Sequence, residues 1–299
     1  MTDLPKALRL ELASALPLWT TKVRRHRASE DGTEKLLLET ADGETLECVL
    51  LRDDKDHRTA CISTQIGCAM GCTFCATGMD GLERNLTKGE ILEQLVRLAG
   101  LLPREERLSH IVVMGMGEPL ANLDNLLAAL ETATSPKGLG ISARRITIST
   151  VGLPKGIRRL ADAGPQYHLA VSLHAPNDTL RNQLIPANRN VGIGAILEAT
   201  DDYFAKTRRR VTFEVVLLAG VNDSAASANE LANLLCGKPV LVNLIPFNPV
   251  PELPFETPSP ASVVRFAGTL ENTGIAVQTR FRKGDRIEAA CGQLRRRGR

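Results

Sequence analysis

Seven cysteines stand at positions 48, 61, 68, 72, 75, 236 and 291, and three of them crowd into one run, Cys68-Ala-Met-Gly-Cys72-Thr-Phe-Cys75. Thiols spaced C-x3-C-x2-C lie near enough along a chain to serve one inorganic centre. Residues 1–15 alternate charged and apolar types without the apolar stretch of a secretory signal, and no apolar run approaches the roughly 18 residues of a membrane span, so the cytoplasm is the expected compartment. Disulfides are rare there, which turns clustered thiols toward metal binding or catalysis. A structural zinc ion would need a fourth protein ligand. An iron–sulfur cluster held by three thiolates would instead keep one iron open to a substrate or cofactor. Cys48 and Cys236 belong to no motif and are expected to be buried small hydrophobes.

These thiols need a scaffold, and the apolar patterning supplies one. Residues 35–38 and 45–52 flank the turn-prone Ala41-Asp-Gly-Glu44, predicting a β-hairpin, with at most one short helix before it near 5–16. Apolar runs at 60–63, 110–116, 145–150, 168–174, 211–218, 240–246 and 275–281 alternate with helical patterns at 88–100, 123–132, 193–206 and 224–235. Strands alternating with helices predict parallel βαβ units, here six with one further strand, in an α/β fold whose sheet curves like a barrel. Active sites of such sheets lie at the C-terminal ends of the strands, and the three-cysteine run directly follows the first one. The Pro-rich stretch 246–260 reads as an ordered loop. The expected division is an N-terminal segment with the hairpin over 1–57, the barrel over 58–285, and a C-terminal segment over 286–299.

The three-cysteine run, with aromatic Phe74 before its last thiol, resembles the signature of radical S-adenosylmethionine (SAM) enzymes. Other stretches narrow the resemblance: Cys61-Ile-Ser-Thr-Gln-Ile-Gly-Cys68, Arg84-Asn-Leu-Thr-Lys-Gly-Glu-Ile91, Gly115-Met-Gly-Glu-Pro-Leu120, Ser172-Leu-His-Ala-Pro-Asn-Asp178 and Gly284-Asp-Arg-Ile-Glu-Ala-Ala-Cys-Gly-Gln-Leu294. Together, over residues 44–294, they look like the RlmN/Cfr family of RNA adenine methyltransferases. The resemblance implies a partial (β/α)6 radical-SAM barrel, in agreement with the six units counted above. It implies one [4Fe-4S] cluster on Cys68, Cys72 and Cys75, and two SAM molecules per turnover. Gly117, Glu118, Ser149, Ser172, Leu173, His174 and Asn248 match the family's SAM contacts.

Adenine carbons 2 and 8 are electron-poor, so displacement alone cannot methylate them. In the mechanism that the resemblance implies, Cys291 takes a methyl from one SAM, and a radical generated from a second SAM removes a hydrogen from that methyl. The carbon radical then adds to the ring. Cys61 attacks Cys291 by thiol exchange and releases methylated RNA with a transient disulfide. Glu47 matches the residue that accepts the proton lost from the ring, a role that requires reach. The SAM-site words look more like the carbon-2 branch of the family than the carbon-8 branch. The implied partners are rRNA or tRNA and an electron donor such as flavodoxin or ferredoxin, with the enzyme acting as a monomer. Family members carry a helical accessory domain before the hairpin; about thirty residues precede it here. Either this is a short form that meets RNA through its basic clusters, or its start lies further upstream.

Composition is ordinary for a globular protein, at 43% hydrophobic and 24% charged residues over 299 positions, which excludes a disordered, collagenous or disulfide-scaffold chain. The 37 Lys and Arg against 34 Asp and Glu give only +3, too little to demand a polyanion. Positive charge is nonetheless bunched at Lys22, Arg24, Arg25 and Arg27, at Lys206, Arg208, Arg209 and Arg210, and at Arg295, Arg296, Arg297 and Arg299. Few aromatics argue against rows of stacked bases and leave a phosphate-tracking surface open.

Overall fold

The computed structural model describes residues 3–15, 19–53, 55–164, 166–280, 284 and 287–296. The chain opens with helix α1 (Lys6–Ala15) and a three-stranded antiparallel meander, β1 (Lys22–Ala28), β2 (Glu34–Glu39) and β3 (Thr45–Arg52). The hairpin foreseen from sequence is β2–β3. Its extra neighbour β1 is exposed at nearly every position, so it carries no apolar alternation to announce it. Leu16, at the end of the predicted first helix, lies outside the described residues, as do Phe281, Asp285, Arg286, Arg297 and Arg299.

Strand β3 pairs antiparallel with β4 (Arg58–Cys61), where the parallel barrel begins. A small hairpin of β5 (Gln65–Gly67) and β6 (Leu82–Asn85) brackets the cysteine run. Helix α2 (Lys88–Ala99) starts at a reciprocal cap between Thr87 and Glu90. The rhythm then continues through β7 (His110–Val113), α3 (Leu123–Thr134), β8 (Ile146–Thr150), α4 (Pro154–Asp162), β9 (His168–Ser172), α5 (Asp178–Leu184) and α6 (Ile193–Thr207). It ends with β10 (Val211–Leu217), α7 (Ala225–Leu235), β11 (Val240–Pro246), α8 (Pro260–Glu271) and β12 (Ala276–Thr279).

One sheet runs β1-β2-β3-β4-β7-β8-β9-β10-β11-β12, parallel from β4 onward. This is the α/β partial barrel with six βα units that the sequence predicts. Helices α4, α5 and α8 lie outside the helical patterns named from the sequence. Pro260 reads as the end of a loop, but it occupies a first helical turn after the Ser259 cap, where its missing N–H costs nothing. The core is one apolar body of strand and helix faces, with a smaller cluster of Phe74, Val151, Ala175, Leu184, Ile185, Leu218 and Phe247 under the barrel mouth. Among the described residues no helix is long and apolar enough to cross a membrane.

A candidate active site at the barrel mouth

The cysteine run forms a loop pinned at both ends. The Cys68 amide donates to the Gly81 carbonyl at 2.8 Å, Cys75 donates to the Cys72 carbonyl at 3.1 Å, and Ala76 donates to the Gly292 carbonyl at 2.8 Å. Gly67 has a φ of +75°, and a side chain there would lie 1.9 Å from the Gly81 carbonyl oxygen. Only glycine permits that approach. Cys68, Cys72 and Cys75 are half-buried and share the wall of a cavity of about 160 Å³. Burial pushes the Cys68 thiol up to about 12 and Cys72 higher still, with Arg181 opposing the shift at Cys72. Cys68 and Cys72 ionise readily only against a positively charged centre. Among the described residues no three His, Cys, Asp or Glu side chains converge as a metal ion requires. Three thiols on one cavity wall suit a multi-iron cluster, whose irons each take a separate thiolate.

The rest of that wall fits SAM. Glu118 accepts from the Val151 amide (2.7 Å), the Thr150 hydroxyl (2.7 Å) and the Leu120 amide (2.9 Å). A carboxylate offers about four acceptor directions, so one stays open for an ammonium group. Burial raises the Glu118 pKa, and those three bonds oppose the rise. Gly117, at φ +99°, leaves room that a side chain would lose against Gln65, 2.5 Å away. Ser149, Ser172 and His174 line the same cavity; Leu173, fully buried between the last two, packs into the apolar core instead. His174 holds a positive φ of 59°, rare for a non-glycine residue. Its Nδ1 accepts from the Val216 amide at 2.9 Å and its ring meets Phe74 edge-on at 4.7 Å. Burial drives its pKa down to about 3, so it is a neutral, positioned ring.

Asn248 donates to the Cys291 carbonyl at 3.0 Å, while among the described residues its own Oδ1, Asn243 Oδ1 and Glu214 Oε1 are buried without a hydrogen bond, Glu214 Oε1 having only the Arg280 guanidinium at 4.0 Å. Asn248 and Glu214 both face the cavity. Acceptors left unsatisfied there call for a ligand rich in donors, which SAM is. Sequence reasoning missed Glu214 and Asn243 because a polar residue inside an apolar run reads as a solvent-facing strand position. It also missed Arg181, buried at 1% exposure, which donates to the Leu173 (3.0 Å) and Ser172 (2.9 Å) carbonyls and bonds Asn188 and Val151. Its position one turn after Asn177, the cap of α5, was the available signal.

A second cavity of about 490 Å³ opens beside the first, toward β4 and β12, and Cys61, Met114, Gln278, Arg280 and Cys291 line it. Cys291 therefore belongs to both walls. Its exposure is toward these cavities, and the surrounding protein still pushes its thiol up, against the pull of Arg280. Burial lifts Cys61 to about 12, with the charge of Cys291 adding to the rise. The segment carrying Cys291 is clamped across the mouth by the Asn248 bond, by Gln293 to the Pro249 carbonyl (2.9 Å) and by Thr77 to the Leu294 carbonyl (2.5 Å).

Glu47 lies elsewhere. It is buried on β3, pairs with Lys35 at 2.9 Å, and accepts from the Arg295 amide at 3.1 Å. It lines a small pocket with Arg25, Arg27, Lys35 and Leu37, and neither of the cavities that Cys291 lines. Cys48 is buried as expected, whereas Cys236 is exposed, because it follows α7 at a turn on the surface.

Comparison with known proteins agrees with this geometry. Residues 62–231, more than half of the chain, match the Radical SAM superfamily, so fold and site together define a radical SAM enzyme with its [4Fe-4S] cluster and SAM. The chain is 57% identical over 296 residues to the probable dual-specificity RNA methyltransferase RlmN of Rhodopirellula baltica, covering 99% of this chain and 80% of that one. It is 48% identical over 300 residues to the protein of the same name in Symbiobacterium thermophilum, again covering 99% and 80%. A crystal structure of a radical SAM methyltransferase from Sphaerobacter thermophilus superposes with a TM-score of 0.95 at 49% identity, over 98% of this chain and 86% of that one. The chain belongs to the RlmN family of radical SAM RNA methyltransferases.

Proposed function

We propose that this protein methylates carbon 2 of an adenosine in rRNA, tRNA or both, carrying the methyl group on Cys291. The residue that supports this reading is Cys291 itself, the one thiol on the walls of both cavities. When bound, the cluster on Cys68, Cys72 and Cys75 and two SAM molecules per turnover supply the methyl group and the radical chemistry that activates it. Glu118, Ser149, Ser172, His174 and Asn248 orient SAM in the first cavity, as Gly117 gives it room. The adenine enters the second cavity, whose size suits one base drawn out of its strand. There Cys291 holds the methyl carbon against the ring. After addition the adduct loses the ring proton and one electron, the latter to the electron-transfer partner, which restores the aromatic ring. The Cys61 thiolate then attacks the Cys291 sulfur, the carbon–sulfur bond breaks with its electron pair on the methylene carbon, which takes a proton to become the methyl group, and the two sulfurs join in a disulfide. A small electron-transfer protein such as flavodoxin or ferredoxin then reduces the system, with the enzyme working as a monomer in the cytoplasm.

Glu47 is the proton acceptor in this scheme, a role that requires its carboxylate, which lines neither cavity, to leave both Lys35 and the Arg295 amide and reach the ring. The test is nucleoside mass spectrometry of unmodified rRNA and tRNA after incubation with reconstituted enzyme, SAM and reductant, alongside Cys291→Ala. New 2-methyladenosine that the variant does not make supports the proposal. 8-Methyladenosine in its place would move the reaction to carbon 8, and neither nucleoside would remove RNA adenine as the substrate.

A further inference from the structure

The basic clusters separate in space. Arg208, Arg209 and Arg210 join α6 to β10 at the N-terminal end of the barrel strands, opposite the mouth, and Lys206 is paired with Asp162. Lys22, Arg24, Arg25 and Arg27 instead form β1, at the free edge of the ten-stranded sheet. Charged residues on an edge strand ordinarily do no more than discourage pairing with another chain. The register of this strand does something further. Val23 opposes Leu38 while Arg25 opposes Leu37, so a β-bulge inserts one residue and reverses the alternation.

Register partners share a face of a sheet. Arg25 and Arg27 therefore stand on the face of Leu37 and Lys35, and Lys22, opposite Glu39, stands there too. Through the pairs Leu37–Glu47 and Val49–Cys61, this is the face that carries Cys61 into the second cavity. Neutralisation on it is uneven. Arg24 pairs with Glu39, Lys35 with Glu47, and Arg27 with Glu288 at 3.4 Å, while among the described residues Lys22 and Arg25 have no acidic partner within ion-pair distance. The β1–β2 hairpin is also tied to the segment that carries Cys291, since Lys35 Nζ of β2 donates to the Glu288 carbonyl at 2.7 Å, the Gly284 amide donates to Asp31 of the connecting turn at 2.8 Å, and Arg27 of β1 pairs with Glu288.

We propose that Lys22, Arg25 and Arg27 form a phosphate-binding rail that seats the RNA strand flanking the target adenosine and leads it toward the cavity of Cys61 and Cys291. The rail rests on the reading of RNA as substrate. It carries no aromatic residue, so it binds backbone rather than bases, and its strength depends on salt.

Deproteinised rRNA and total tRNA are titrated with holoenzyme between about 50 and 200 mM KCl. K22E/R25E is expected to weaken RNA binding about tenfold or more at the low end, and to lower the salt slope by roughly one for each lost phosphate contact. KM for RNA rises with kcat little changed, and R25K retains binding. R208E/R210E, at the other end of the barrel, binds as wild type. Methyl loading of Cys291 without RNA, read by peptide mass spectrometry, is the control for a folded site. Equal affinity and equal salt slope in wild type and K22E/R25E would overturn the rail and leave the methyltransferase reading intact. Wild-type enzyme that binds neither RNA would overturn both, and failure of R25K to retain binding would also count against the rail.

Discussion

Lys35 and Glu47 are both almost fully buried and joined at 2.9 Å, so each keeps the other soluble in the protein interior. Removing one charge of such a pair leaves the other uncompensated, typically at about 3–5 kcal/mol. Glu47→Gln is therefore expected to lower the unfolding free energy by roughly that amount, and Lys35→Met/Glu47→Gln to recover most of it while still failing to complete RNA methylation. Denaturant titration and a methylation assay on the same preparations read the two effects separately; full methylation by the double variant would remove Glu47 from the chemistry. His174 makes a pH prediction. Its pKa falls from the ordinary 6.5 to about 3 in the folded protein, so below about pH 6.5 the unfolded chain binds a proton that the native state refuses. The stability that it contributes is present above that pH and is lost on acidification, by up to about 1.4 kcal/mol per pH unit. Denaturant titrations at about pH 7.5 and 5.5 should show a shallower dependence for His174→Gln than for wild type, and identical slopes would contradict it. At this scale the sequence was most informative for thiols, because spacing alone brings Cys68, Cys72 and Cys75 together. It could not reveal that Glu47 faces Lys35, since that contact depends on the pairing register of β2 and β3.

The loops after β8 and β9 are held by one side chain from α5. Arg181 binds carbonyls at Val151, Leu173 and Ser172, next to the proposed SAM contacts Ser172 and His174. Burial lowers its pKa to about 10, with Cys72 and Asp178 opposing the shift, so it remains charged near neutral pH. Arg181→Met would take a donor from the Val151, Ser172 and Leu173 carbonyls, of which Leu173 keeps the Ala175 amide at 2.8 Å, at about 1–3 kcal/mol for each carbonyl left unsatisfied. Weakened SAM binding, measured by calorimetry, should accompany the lost stability; unchanged affinity would show that the strand ends hold their shape without the guanidinium. The long, strongly periodic elements were plain from sequence, as α2, α6 and α7 show. Those that escaped lack the pattern for physical reasons. Strand β1 buries almost nothing, α5 spans only seven residues, and α8 begins with a proline that marks loops and helix starts alike.

Across the whole molecule, the sheet continues from the parallel barrel into the antiparallel meander without interruption, so Cys61 at the barrel mouth and the cations of β1 share one face. The C-terminal segment crosses from the meander to the cysteine loop and places Cys291 where two cavities meet. No motif could have disclosed that shared wall, which exists only once distant parts of the chain close around it. For Cys61→Ala, blocked release predicts protein that retains covalently attached RNA after reaction, visible by denaturing electrophoresis and lost on nuclease treatment. The most direct measurement follows the methyl group itself. Enzyme loaded with SAM carrying an isotopically labelled methyl, freed of unbound SAM, and then given RNA with unlabelled SAM should transfer its first label from Cys291 to adenosine. Label that stays on Cys291 while unlabelled methyl appears in the RNA would contradict Cys291 as the carrier.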